Sequence, residues 1–232
     1  IVFGDWSSDV CSSDLQVAVP QEPPLVENRF YRVQFAADGS MASIFDKELG
    51  RELLDRTASF RANQFVYTKD NHQTFTSPER AAFEIRRDSF GQTVVVKLDD
   101  PHSRAAIEQR VILPNHAKQI EIDNRMAHVR DLFNQHRYYR YGYYAFPFAV
   151  EDGTFRAQLN GCIASPKTGQ TGHGTDVYLA ARDWTCVENG AFGVALLQLD
   201  SQLVEFGRIH PDKTEFGEPF GSSHLYSYLF TD

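Results

Sequence analysis

The sequence predicts an all-β chain, a large antiparallel β-sandwich with few or no helices. Three observations carry this expectation: about twelve runs of period-two or β-branched character, an Asp-Gly pair between two alternating apolar runs, and almost no helical periodicity. The nearest helical candidates, 47–55 and 101–104, extend a turn or two at most. An α/β barrel would need helices of roughly 10 to 15 residues alternating with its strands, and the sequence offers none.

Residues 5–15 read DWSSDVCSSDL, a serine and aspartate string unlike anything downstream. They resemble a translated sequencing adapter, so residues 1–15 are expected to be an artefactual, non-native segment, and Trp6 and Cys11 enter no chemical argument. Native sequence then starts near Gln16. Residues 16–25 hold Pro20, Pro23 and Pro24, whose fixed φ and missing N–H forbid helix and predict an extended linker. Residues 26–232 are expected to form the sandwich domain. Its first feature is a hairpin in which 30–35 (FYRVQF) and 41–45 (MASIF) flank a turn at 36–40 built on Asp38-Gly39. Strands follow at 82–87, 93–98, 107–113, 119–124, 143–150, 155–160, 176–181, 192–198, 203–209 and 224–230. Turn-forming residues cluster at 70–78 and 166–174, which predicts loops there. A strand-like run reaches Phe230, two residues before Asp232, so the domain is expected to be truncated at its C-terminal end and the chain to be a fragment.

Size and composition exclude several classes of function. At 232 residues the chain can bury a sizeable core without disulfide or metal staples. A formal charge of −8 opposes phosphate backbones and anionic lipid, so neither nucleic acid nor a membrane is an expected partner. The longest uncharged apolar runs, 141–150 and 191–199, are about half the length that a bilayer-spanning helix needs. Cys162 and Cys186 form no CxxC and are expected to be small buried apolar side chains. Eight histidines are scattered singly, and the lone His210-Pro211-Asp212 triplet beside Lys213 reads as a turn, not a metal site. Asp99-Asp100 and Glu215 with Glu218 read as solvated turns. Glycoside cleavage needs two carboxylates about 5 to 9 Å apart, drawn from separate strands, and linear spacing does not reveal such a meeting. The motifs GxSxG, GxxxxGKS/T and GxGxxG are absent, which leaves acyl-transfer elbows and phosphate cradles without support.

The densest chemical feature is 137–148, RYYRYGYYAFPF, with seven aromatic side chains and two arginines. Flat aromatic faces suit the C–H faces of sugar rings, and guanidinium forks suit hydroxyls or acids. Arg137, Tyr138, Tyr139, Arg140 and Tyr141 are therefore the candidate substrate contacts. The same stretch also reads as a strand buried between two sheets, with Tyr144, Phe146 and Phe148 on one face and Tyr143 and Ala145 on the other.

Residues 26–55, VENRFYRVQFAADGSMASIFDKELGRELLD, carry a more specific signal. Glu27-Asn28, Asp38-Gly39, Ser43-Ile44-Phe45-Asp46-Lys47 and Gly50-Arg51-Glu52-Leu53 fall in register with the opening of the C-terminal β domain of glycoside hydrolase family 38, the α-mannosidases, which the chain resembles. Residues 144–148 and Phe206-Gly207 fit later segments, so the resemblance covers most of 26–232. It implies a supersandwich similar to that of the galactose mutarotase group, packed beside a catalytic domain whose sugar site it completes or walls. The implied parent is a zinc-dependent retaining enzyme that hydrolyses α-mannosidic bonds through a covalent mannosyl intermediate. Its nucleophile and its zinc-binding His and Asp belong to an N-terminal α/β domain, so no catalytic residue, metal ligand or cofactor is carried over onto these residues. The chain alone is expected to be inactive, and its expected partners are a mannose-containing glycan or glycoside and that catalytic domain.

Two further readings stay open. A stand-alone carbohydrate-binding sandwich would present Tyr138, Tyr139 and Tyr141 on a solvent-facing platform. A mutarotase-like epimerase would need a His acid and a Glu base in one cleft, with His173, His210 and Glu215 as the available set.

Overall fold

The structure is a computed structural model that describes residues 15–69, 73–76, 80–99, 106–127, 141–166, 177–209 and 220–231. These residues form nineteen strands in four antiparallel sheets, with no helix among them. Part of the predicted linker is taken into a sheet: β1 (Gln16–Ala18) pairs with β8 (Ala82–Arg87), and β9 (Gly91–Asp99), β10 (Ala106–Pro114) and β11 (Glu121–Ala127) complete five strands. Four more strands, β2 (Leu25–Glu27), β3 (Tyr31–Phe35), β4 (Met41–Asp46) and β5 (Arg51–Glu52), form a meander. The six-stranded sheet runs in the order β15 (Tyr178–Ala180), β18 (Leu203–Phe206), β19 (His224–Thr231), β12 (Tyr141–Pro147), β6 (Gln64–Lys69), β7 (Gln73–Thr76). The last sheet orders β14 (Cys162–Ala164), β13 (Thr154–Leu159), β16 (Trp184–Glu188) and β17 (Gly193–Leu197).

The expected Asp-Gly hairpin joins β3 to β4. Asp38 Oδ1 accepts the Ser40 backbone N–H at 3.1 Å, and Gly39 sits at φ +86°, a left-handed conformation that costs glycine little. A side chain on Gly39 would also run into Val96 of β9, so this turn is where the meander presses on the five-stranded sheet. After β4 the helical candidate 47–55 is instead a turn followed by β5. Asp46 Oδ1 accepts the N–H groups of Glu48 and Leu49, each at 2.9 Å, and an acidic side chain that bonds the backbone two and three residues ahead favours a turn over a helix.

The polar residues of the 26–55 signature fasten this corner. Asn28 Oδ1 accepts from Phe30 N at 2.9 Å and Tyr31 N at 2.8 Å, while its Nδ2 donates to Pro114 O at 2.7 Å. Lys47 Nζ donates to Asn28 O at 2.6 Å and pairs with Glu27 at 3.1 Å. Glu52 Oε1 accepts from Ile44 N at 2.8 Å and Leu54 N at 3.1 Å. Buried backbone groups must be satisfied, and here side chains close what short strands leave open.

The main core draws on all four sheets, with Phe35, Phe65, Leu113, Phe155, Phe206 and Leu225 among its members. A second, smaller cluster of Val66, Tyr141, Tyr143, Ala145, Tyr226 and Tyr228 lies on the other face of the six-stranded sheet. Cysteine placement departs from expectation. Cys162 is exposed and Cys186 half-buried, because β14 is a sheet-edge strand and Cys186 belongs to the outward row of β16 between the buried Thr185 and Val187.

Candidate functional site

Of the five candidate contacts, Arg137, Tyr138, Tyr139 and Arg140 lie outside the described residues. Tyr141 opens β12 and is 8% exposed, its ring 6.5 Å from that of Tyr143 and 5.8 Å from that of Tyr228. His173, His210 and Glu215 also lie outside the described residues.

Strand β12 is buried along its whole length, and alternation divides it between two environments. Tyr144, Phe146 and Phe148 enter the main core, while Tyr141, Tyr143 and Ala145 face the tyrosine cluster. Within that cluster the rings meet edge to face, Tyr143 and Tyr228 at 4.8 Å and Tyr143 and Tyr226 at 6.4 Å. Glu205 of β18 is fully buried against them, opposite Tyr226 in register. Burial pushes the Tyr143 phenol far up, and the charge and hydrogen bond of Glu205 push it further, so this phenol stays protonated and donates.

Beside the cluster opens a cleft of about 480 Å³, reached by Phe60, Thr57 and Ser59 from the segment after β5, and by His224 and Tyr226 from β19. Its lining includes an acid–imidazole pair: His224 Nε2 lies 3.1 Å from Asp55 Oδ2. The two residues are 169 positions apart, and Pro147 brings them together. Asp55 N donates to Pro147 O at 2.8 Å, and His224 is the register partner of Pro147 where β19 meets β12. Thr57 then holds the carboxylate, its N–H at 2.9 Å and its hydroxyl at 2.6 Å, both donating to Oδ1.

These contacts set the charges. The Thr57 hydroxyl bond, then the Thr57 N–H and His224, hold the Asp55 carboxyl below its usual range against a smaller opposing effect of burial, so it is ionised at neutral pH. Burial holds the His224 imidazole below its ordinary value, and the nearby carboxylate only partly offsets that. A neutral ring beside a carboxylate carries its proton on Nε2 and keeps Nδ1 as an acceptor. A second hollow of about 650 Å³ shares Asp55, Ser59 and Phe60 and continues toward Asp38, whose Oδ2 accepts Gln64 Nε2 at 2.8 Å.

The arrangement can bind a polar, uncharged ligand, since it pairs a fixed carboxylate with hydroxyls, an imidazole and aromatic edges. Among the described residues no three His, Cys, Asp or Glu side chains come together to hold a metal ion. Sequence reasoning singled out neither Asp55 nor His224. Their only linear signals are an Asp closing the GRELLD run and a His opening a strand, and neither points to the other. Compared with known families, residues 26–208 match the profile described as Glycosyl hydrolases family 38 C-terminal domain. No curated protein matches the chain.

Proposed function

From a chain that belongs to the glycosyl hydrolase family 38 C-terminal domain family, we propose the non-catalytic β domain of an α-mannosidase, an enzyme of carbohydrate metabolism that hydrolyses α-mannosidic bonds. The match over 26–208 is the observation that carries the reading, and the signature corner at 26–55 agrees with it. In this reading the domain packs against an N-terminal catalytic domain and walls its sugar site. The catalytic domain holds the zinc, the nucleophile and the acid/base group. What this chain's own residues supply is a rigid wall: the sheet fixes Asp55, His224 and the tyrosine face, and hydroxyl-bearing groups along it orient a glycoside without attacking it.

The burial of Tyr141 within the aromatic cluster favours a companion domain over a stand-alone module that stacks sugar on an open tyrosine platform. The test is enzymatic. The 232-residue chain alone should release no nitrophenol from a nitrophenyl α-mannoside, whereas the chain joined to a family 38 N-terminal catalytic domain should, at a rate abolished by a chelator. Chelator-sensitive turnover by the chain alone, or a joined protein that ignores α-mannosides, would overturn the reading.

A further inference from the structure

Two Asn-Gly pairs occur in the sequence, Asn160-Gly161 and Asn189-Gly190. Both lie on one sheet, the first where β13 turns into β14 and the second where β16 turns into β17, and all four residues are exposed. Each glycine stands in the left-handed region, Gly161 at φ +89° and Gly190 at φ +80°, with open space where a side chain would be. An asparagine followed by glycine is chemically vulnerable, because no Cβ on the second residue hinders its backbone nitrogen from reaching the side-chain amide carbon of the first.

The two asparagines differ. Asn189 is held at both ends of its amide: Nδ2 donates to Glu151 O at 2.9 Å, and Oδ1 accepts from Ala191 N at 3.2 Å and Phe192 N at 3.3 Å. Among the described residues no hydrogen bond reaches the Asn160 side chain or the Gly161 N–H. We propose that Asn160 is a site of spontaneous covalent modification, deamidation through a succinimide, and that Asn189 is protected by the bonds of its own turn. The Gly161 nitrogen forms a bond to Asn160 Cγ and gives up its proton, the Cγ–Nδ2 bond breaks, and Nδ2 leaves with that proton as ammonia. Water then opens the five-membered ring. Cleavage at Cγ leaves an ordinary aspartyl residue, and cleavage at the main-chain carbonyl carbon leaves an isoaspartyl residue whose backbone runs through Cγ. Closing the ring requires the side chain to swing onto the backbone, which Asn160 does without breaking a bond and Asn189 only by giving up all three. The isoaspartyl product adds a methylene to the turn that sets the Leu159–Cys162 pairing, and β14 lies at the sheet edge with β13 as its strand neighbour. Modification therefore loosens β14 and adds a negative charge to a chain already at −8.

The experiment incubates the complete chain in mildly alkaline buffer, once folded and once in urea, and maps its tryptic peptides by mass spectrometry, with amide spectra to confirm each state. Residues 157–167 carry Asn160 and residues 183–208 carry Asn189, so each pair is read separately. In the folded chain, peptide 157–167 should gain the mass difference between amide and acid, split into aspartyl and isoaspartyl forms, and do so at least about tenfold faster than peptide 183–208 reacts. In urea the two rates should converge, since hydrogen bonds and not neighbouring sequence make the difference. Hydroxylamine, which attacks the succinimide, should cut the folded chain between Asn160 and Gly161, and Asn160→Gln should abolish both the cut and the mass gain. An unmodified peptide 157–167, equal rates in the folded chain, faster reaction at Asn189, or a difference that persists in urea would overturn the assignment. So would an aspartyl product with no isoaspartyl beside it, which needs no ring.

Discussion

Along β12 and the Phe148 that follows it, alternation sends Tyr144, Phe146 and Phe148 one way and Tyr141, Tyr143 and Ala145 the other. The neighbours repeat the division. On β19, Leu225 joins the main core while Tyr226 and Tyr228 join the smaller cluster; on β18, Val204 and Phe206 flank Glu205 in the same way. One face is chiefly hydrocarbon and phenyl, backed by three other sheets. The second gathers tyrosine hydroxyls around a buried carboxylate, beside the cleft of Asp55 and His224. Packing dominates the first, and fully satisfied polar contacts must hold the second, since an unpaired charge in a low-dielectric site is costly.

The largest effect should therefore come from the core face. Phe206 is fully buried, with ring neighbours Phe155 at 5.1 Å and Phe220 at 5.9 Å. Phe206→Ala removes those contacts and leaves a void, and urea denaturation should report a loss of about 3 to 5 kcal/mol. A smaller loss than that of Tyr143→Phe would reverse the comparison.

The core face was the legible one. Alternation in the sequence placed Tyr144, Phe146 and Phe148 together, and the structure puts them in one core. Where both faces of a strand are buried, the signal fades. In β6 the consecutive Phe65, Val66 and Tyr67 are all buried, so no period of two survives and the strand went unpredicted. In β16 the pattern misleads, because Thr185 and Val187 point inward while Trp184 and Cys186 point out. The 26–55 signature was readable because its turn chemistry is local. The Asp55–His224 pair is a product of β12–β19 pairing across 169 positions, which no local rule encodes.

Tyr143→Phe tests the second face without changing its shape. Only the hydroxyl is lost, which bonds both Glu205 and Tyr228, so a fully buried carboxylate and a neighbouring phenol are each left one partner short. The expected cost is about 1 to 3 kcal/mol by the same urea measurement. No loss at all would mean that Glu205 is satisfied without this phenol.

Acid should weaken the second face through His224. Its imidazole titrates below the ordinary 6.5 because burial disfavours the charged form, so an unfolded chain binds the proton at a pH where the folded chain does not. The contribution to stability is complete above about pH 6.5 and declines as pH falls from there toward the lower folded value. Asp55, also depressed, keeps its contribution until pH drops below its ordinary 3.8 and through its lower folded value, so it does not act in this window. In urea midpoints measured from about pH 7.5 to 5, His224→Gln should flatten part of the slope of the parent chain. An unchanged slope would show that the imidazole protonates in place.

The smallest effect is expected at Tyr226, and it bears most directly on how the second face is held together. Its phenol is raised by burial first and by the charge of Glu205 through space second, with no hydrogen bond among those causes. Tyr226→Phe should thus cost less than about 0.5 kcal/mol, well under Tyr143→Phe, although both rings belong to one cluster. The aromatic edge against Phe60 survives the change, so the packing of the cluster should stay as it is. Urea denaturation of this single variant beside Tyr143→Phe then separates a ring kept for its packing from a hydroxyl kept for its bond, and a loss at Tyr226 equal to that at Tyr143 would show that both phenols are bonded.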